Sequence, residues 1–469
     1  MSTPSQQRSV MGVLGYPLMI GGAVGLLLLV RSIGATLVAP APLEGAIAVA
    51  TAPAKTDVLS HVLLALVVVI VAARLCGALC KRLHQPAVIG EVIAGILLGP
   101  SLLGRIAPTA TAYLLPPSVA PFLSIIAQIG VILFMFLVGL ELNVAQLKHR
   151  THATVAISHA SILLPFVLGS GLAIWLYPKL STSDVSFTVF ALFLGVSLSV
   201  TAFPVLARML TDRGAHKTRL GIVALTCAAV DDVTAWCLLA FVIAVAKANV
   251  STAVVTVVLT SAYVGFMLLV ARPVIVRAVH AQELRKTVPQ STIAVVIVAL
   301  LLSTLITEAA GVHAIFGAFV LGVCIPHDSR LARELVNKVE DLVVVLFLPA
   351  FFAFTGMRTE IGLVHGASQW VVCGVIIAVA SIGKFGGSFG AARIAGFANR
   401  EAASIGILMN TRGLVELIVL NIGLDLHIIS PTLFAMLVLM AVVTTFATTP
   451  ILDWITRHAD APNGDPARV

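Results

Sequence analysis

Residues 219–246 read RLGIVALTCAAVDDVTAWCLLAFVIAVA, and no Lys or Arg separates Arg219 from Lys247. The run exceeds the ~20 apolar residues that cross a bilayer as a helix. In its middle stand two carboxylates, Asp231 and Asp232. A charged side chain at the centre of a membrane helix costs about 2.5–3.5 kcal/mol on insertion scales. Two adjacent ones are not kept there without a use. The stretch therefore reads as a membrane helix carrying a site for protons and cations.

Composition extends that reading to the whole chain. Of 469 residues, 59% are hydrophobic and 11% charged, where soluble domains carry about 25% charged residues. This composition predicts an all-α polytopic membrane protein and excludes a soluble enzyme. The net charge of +8 comes from Lys and Arg in short loops, where they set membrane orientation, so no nucleic-acid partner is expected. The six cysteines, Cys76, Cys80, Cys227, Cys237, Cys324 and Cys373, fall in or beside apolar stretches without zinc-like spacing. No GxxxxGK[ST] phosphate loop occurs, so ATP drive is not expected. No cofactor is expected either, and no metal beyond a transported monovalent cation.

An apolar stretch from about Val10 to Val30 follows Arg8 and reads as a signal or an extra spanning helix, with a loop from Ala39 to Thr56. Residues 1–58 form this first unit, 59–456 the membrane domain, and 457–469 a short tail. Thirteen apolar segments follow residue 58: A (59–80), B (86–103), C (121–143), D (152–177), E (186–210), F (219–246), G (252–279), H (290–308), I (312–326), J (341–357), K (368–396), L (402–424) and M (432–455). Thirteen transmembrane helices are expected, or fourteen with the early stretch. Alternate loops are basic, holding Lys81 and Arg82, Lys148 and Arg150, Arg213 and Lys217, Arg285 and Lys286, Arg330 and Arg333, Arg393 and Arg400, and Arg457. Those loops and the carboxyl terminus are expected on the cytoplasmic side of a multi-pass protein of the inner or plasma membrane.

The chain repeats itself. Segment B, PAVIGEVIAGILLGP, matches segment I, HAIFGAFVLGVCIP, with Gly90 and Gly317, then Gly95 and Gly322, in step. The end of C, FMFLVGLELN, matches that of J, FFAFTGMRTEI. Segments A–F thus map onto H–M, with G as connector. An odd connector inverts the second six-helix half, and inverted repeats place a transport site at their interface.

Segments E and L occupy equivalent places. E contains SLSVTAFPVLARML, where Pro204 removes a backbone donor beside the hydroxyls of Ser199 and Thr201. L contains ILMNTRGLVELIVL, where Asn410, Thr411, Arg412 and Gly413 are a poor helical run. Both are expected to unwind at mid-membrane and to cross as discontinuous helices. Their exposed ends need counter-charges, which Asp231, Asp232 and Arg412 can supply. Glu416, at i+4 from Arg412, is expected to pair with it.

Segment K carries Lys384 among small residues, far from either end of the segment. Neighbours on a helix point about 100° apart, so one aspartate should pair with Lys384 while the other faces an aqueous cavity. Gly383, Gly386, Gly387 and Gly390 should let another helix approach K closely. A desolvated carboxylate can be discharged by a proton or by a bare monovalent cation, not comfortably by both. Such exclusive occupancy is enough for exchange. A divalent-metal site would want more oxygen ligands. Trp175, Trp370 and Trp454 fit the interfacial belt, Trp236 is placed to wall the cavity, and Glu308 reads as an outer vestibule acid.

The motifs LMNTRGLVELIVLNIGL, FAMLVLMAVVTTFATTP, VTAFPVLARML, AAVDDVTAW and HAIFGAFVLG resemble those of the monovalent cation/proton antiporters, a family that includes plant cation/H+ exchangers and bacterial potassium-efflux antiporters. The likeness runs from about residue 59 to 456. It implies a core (about 121–246 and 341–455), a panel that makes a homodimer in the lipid bilayer (about 59–103 and 252–326), and elevator-like exchange. It also implies that Asp232 binds the cation and proton, with Asp231 and Thr201 beside it and Lys384 as charge partner. Plant and potassium-efflux relatives usually have Asn or Gln at the position of Asp231, which leaves ion choice and stoichiometry open. The chain ends soon after M, so a long cytoplasmic regulatory region is not expected. The expected activity is exchange of H+ for Na+ or K+, with an organic-anion symporter or a channel-like cation leak as alternatives.

Overall fold

The computed structural model describes residues 21–22, 24–35, 37, 58–141, 152–215, 218–246, 250–283, 288–310 and 314–457. Lys148, Arg150, Lys217, Lys247, Arg285 and Lys286 lie outside the described residues, as do the side chains of Pro204 and Trp236. Every regular element among the described residues is helical. We number the principal helices α1 (Val58–Arg82), α2 (Ala87–Leu98), α3 (Ala120–Glu141), α4 (His152–Leu180), α5 (Phe187–Ser199), α6 (Phe203–Asp212), α7 (Arg219–Ala246), α8 (Val250–Phe266), α9 (Arg272–Glu283), α10 (Gln290–Ala309), α11 (Ala314–Cys324), α12 (Arg330–Leu342), α13 (Leu348–Met357), α14 (Gly366–Ile394), α15 (Asn399–Met409), α16 (Leu414–Asp425) and α17 (Pro431–Arg457). A shorter apolar helix, Val24–Gly34, precedes them and buries Val30 in the main core.

Among the described residues, ten helices are long and apolar enough to cross a membrane. The expected count of thirteen is not matched by continuous helices, for a physical reason. Segments E and L are each split into two half-helices, α5/α6 and α15/α16, and segment I folds as α11, only 11 residues long. Segment C continues a helical stretch from Pro108 to Glu141, and segment J one from Arg330 to Leu363.

The surface pattern is that of a chain solvated by lipid. Along α1, Leu59, Leu63, Val67, Val71, Leu75 and Leu79 recur every four residues and are all exposed, while Val62, Ala65, Val69 and Ala73 on the opposite stripe are buried. Large apolar residues outside and small ones inside are what helix packing without a hydrophobic drive selects.

The repeat is visible as two sets of matching close approaches. A Cβ on Gly90 would stand 2.4 Å from the Cys76 carbonyl oxygen of α1, and one on Gly317 would stand 2.4 Å from that of Ser303 on α10. Likewise a Cβ on Gly139 would meet Phe319 O at 2.4 Å, and one on Gly356 would meet Val92 O at 2.3 Å. Glycine is needed at each of these crossings because the opposing atom is backbone and cannot swing aside.

Packing sorts the helices into two groups. α4, α7, α14 and α17 pack around the interrupted helices α5/α6 and α15/α16. α1, α2, α3, α10, α11 and α13 pack with one another, chiefly α1 on α2, α2 on α13, α3 on α11 and α10 on α11. The expected core ranges 121–246 and 341–455 include α3 and α13, whose main partners are α11 and α2 of the second group.

Candidate functional site

The two interrupted helices meet at their breaks. α5 stops at Ser199, Val200 is extended (φ −69°, ψ 137°), and α6 starts at Phe203. α15 stops at Met409 and α16 resumes at Leu414. The Ala202 N–H donates to the Thr411 carbonyl at 3.0 Å. Thr201 Oγ1 lies 3.1 Å from the Met409 carbonyl. Gly413 permits the crossing: a Cβ there would stand 2.6 Å from Val205 Cγ2 and 3.2 Å from Ala202 Cβ. The break in E falls before the expected breaker. Pro204 is in the first turn of α6, where its missing N–H would have had no helical partner anyway. The Ser199 hydroxyl turns back to the Gly195 carbonyl at 2.6 Å, away from the crossing.

Each half-helix end finds a counter-charge or a donor. The carbonyl end of α5 is met by Arg412, whose Nη1 donates to Ser197 O at 3.0 Å and Nη2 to Leu198 O at 2.7 Å. Nη1 also reaches Glu416 Oε1 at 3.1 Å, so the expected i,i+4 pair forms, with both side chains fully buried. Glu416 itself stands in the first turn of α16, where a carboxylate favours the helix dipole. The Arg412 backbone is clipped by Thr445 of α17, which accepts from Arg412 N at 3.0 Å and donates to Arg412 O at 2.7 Å. The carbonyl end of α15 is met by the Thr201 hydroxyl.

Asp231 is saturated with donors. Ser158 Oγ donates to Oδ1 at 2.6 Å, and Ser161 Oγ to Oδ2 at 2.6 Å. Thr201 Oγ1 lies 2.9 Å and Lys384 Nζ 3.1 Å from Oδ2. Lys384 Nζ also donates to Thr201 Oγ1 at 2.5 Å. Both members of the Asp231–Lys384 pair are wholly buried. Close helix packing builds this cluster. Gly383 and Gly387 bring α14 onto α4, where a Cβ would come 2.7 Å from Pro165 Cα and 2.4 Å from Ala160 O. Gly386 makes only ordinary contact with Leu164, and Gly390 has open space beside it, so two of the four expected glycines do the work.

Asp232 is the opposite case. It is 3% exposed, and neither carboxylate oxygen has a hydrogen-bond partner. The backbone amide of Phe203, at the head of α6, lies close to it without completing a hydrogen bond. The expected aqueous cavity does not reach the Asp232 carboxylate in this structure, since both of its oxygens are buried. Asn410 Oδ1 and Thr411 Oγ1 are likewise buried and unpartnered.

Sequence reading did not single out Ser158, Ser161 or Thr445. The signal was present for the serines: two hydroxyls three residues apart lie on one face of an apolar helix. Glu308, read as a vestibule acid, accepts from the Ala314 N–H at 2.9 Å and so caps α11.

Comparison with known proteins adds relatives. The sodium/hydrogen exchanger family, transmembrane region, matches residues 70–457. The Na(+)/H(+) antiporter NhaS4 of Synechocystis is 43% identical over 399 residues, covering 85% of this chain and 97% of that protein. Cation/H(+) antiporter 18 of Arabidopsis thaliana is 43% identical, over 83% of this chain and 48% of its own length. K(+)/H(+) antiporter 1 of Saccharomyces cerevisiae is 35% identical, over 79% and 43% respectively. The chain thus spans about half the length of the plant and yeast relatives. Among solved structures, the sodium proton antiporter MjNhaP1 of Methanocaldococcus jannaschii superposes with a TM-score of 0.61 at 15% identity, covering 84% of this chain and 96% of that one. That likeness establishes the fold.

Proposed function

Because the chain belongs to the sodium/hydrogen exchanger family, a family of multi-pass membrane transporters, we propose that it exchanges H+ for Na+ or K+ and that Asp232 is the exchanging group. The observation that carries this is the contrast between neighbours. Asp231 takes donors on both oxygens, whereas Asp232 is buried with none. A lone carboxylate in a low-dielectric interior is costly unless it is discharged. A proton discharges it by bonding to one oxygen, and a bare monovalent cation by coordination. The two compete for the same two lone-pair faces, which couples their movements in opposite directions.

Asn410 Oδ1 and Thr411 Oγ1 are the neutral oxygens we assign to the cation beside Asp232. Both belong to the segment that the Ala202 and Thr201 bonds hold against residues 201–203, and both lack partners. Asp231, Thr201 and Lys384 are already committed to one another, so we assign them to holding the crossing in shape. The enclosure of Asp232 suits a proton or a dehydrated alkali ion rather than an organic anion, which its charge would also repel.

The test is exchange in proteoliposomes with Na+, K+ and Li+ at several pH values, with and without a clamped potential. Cation-dependent proton movement that disappears in Asp232→Asn is the expected result. Cation flux without any coupled pH change would instead reveal a leak. Uptake of an organic solute that survives Asp232→Asn would point to symport.

A further inference from the structure

Away from the crossing, one polar cluster ties the two packing groups together. Arg358 caps the end of α13, and Asn421 and Asp425 lie on the last turns of α16. Arg358 Nη1 donates to Asn421 Oδ1 at 3.0 Å, and Nη2 to Asp425 Oδ1 at 2.6 Å. Asn421 Nδ2 in turn donates to Thr355 Oγ1 of α13 at 2.8 Å. By packing, α13 belongs with α2 and α3, while α16 continues the interrupted helix that crosses at the ion site. The cluster lies at the end of the molecule opposite the basic loops, since α12 and α15 leave those loops at Arg330 and Arg400 and the chain reaches Arg358 and Asp425 after crossing.

We propose that Arg358, Asn421 and Asp425 form a latch that shuts the outer mouth between the two helix groups and releases when Asp232 is presented to that side. The proposal rests on the alternating-access reading above. Its physical basis is a graded exposure. Thr355 and Asn421 are buried, whereas the Arg358 and Asp425 side chains are 25% and 48% exposed. A part-exposed ion pair is weak because water competes for both charges, so it can open in every cycle. The fully buried Asp231–Lys384 pair has no such substitute partner and acts as a strut. Arg358 also bonds two residues one turn apart on the same helix, so sliding or tilting α16 along α13 breaks both contacts together. Two packed states separated by such a cluster are what a gate requires.

The test uses the full chain in proteoliposomes, comparing apparent KM for the cation on the outer and inner faces. Arg358→Ala and Asp425→Asn are each expected to lower the outer KM relative to the inner by about three- to tenfold, because the outward state becomes more populated. The charge exchange Arg358→Asp with Asp425→Arg is expected to restore the ratio to within about twofold. As a second measurement, Arg358→Cys with Asp425→Cys, bridged by a bifunctional thiosulfonate, should stop exchange until a reductant is added, while either single cysteine variant treated alike should not. An unchanged KM ratio in both single variants, or steady exchange by the bridged pair, would overturn the latch. Absence of exchange by the unmodified chain would overturn the antiport reading instead, so the two failures are distinguishable.

Discussion

Asp231 and Asp232 share a peptide bond but no hydrogen-bond partner. The first faces α4 and α14, where Ser158, Ser161 and Lys384 converge on it together with Thr201 of the first break. The second is turned toward the head of α6 and is left bare. A rotation of about 100° between neighbours on one helix separates a side chain ringed by donors from one that, in the proposed mechanism, is discharged by a guest.

Asp232→Asn should abolish exchange without destabilising the fold, since it removes a buried charge that has no counter-charge in contact. Thermal unfolding in detergent, paired with proton release from everted vesicles, checks both halves. Normal exchange by a well-folded variant would remove Asp232 from the mechanism.

Asp231→Asn and Lys384→Met should each destabilise by about 3–5 kcal/mol, because either leaves a buried charge without its counter-charge. The double variant should be more stable than the sum of the singles implies, since no charge is stranded. Lys384→Ala should alter the pH dependence of exchange without eliminating cation binding. Additive losses in the double variant would show that the pair is not coupled.

The proposed competition at Asp232 fixes the sign of the pH effect to be expected. Once the acid is mostly protonated, each unit fall in pH should raise the apparent KM for the cation by about tenfold, with the maximal rate approached at saturating cation. A KM that does not move with pH in transport assays would rule out a shared site.

Gly139→Ala and Gly356→Ala should cost similar amounts, about 1–3 kcal/mol each, by forcing a Cβ against backbone at equivalent crossings. The contacts are with Phe319 O at 2.4 Å and Val92 O at 2.3 Å. Unfolding temperatures compared side by side test this. One tolerant and one intolerant site would break the equivalence of the halves.

Thr445→Val should cost about 1–3 kcal/mol, because it strips two hydrogen bonds from the buried backbone of Arg412. Hydrogen exchange at residues 410–413 should quicken in the variant. Unchanged protection there would mean the clip does not hold the break.

Much of this was legible in residues. The apolar runs, the glycines in step between B and I, and the helix-poor stretch from Asn410 to Gly413 required no coordinates. The first break falls at residues 200–202, around Thr201 as expected, while Pro204, which reads as a breaker wherever it falls, stands in the first turn of the second half-helix. The count of continuous spans fell short because a broken helix reads as one apolar run. Ser158, Ser161 and Thr445 went unread because their meaning comes from partners 73, 70 and 33 positions away.

Sequence alone determined that the chain lives in lipid, that it repeats, and that two acids and one lysine are stranded among apolar residues. Hydropathy and spacing are properties of a single segment, so they survive without a fold. Only the tertiary structure decided which acid is occupied and which is free. That choice depends on which neighbouring helices bring donors to each face of α7, and no periodicity along one helix records what packs beside it.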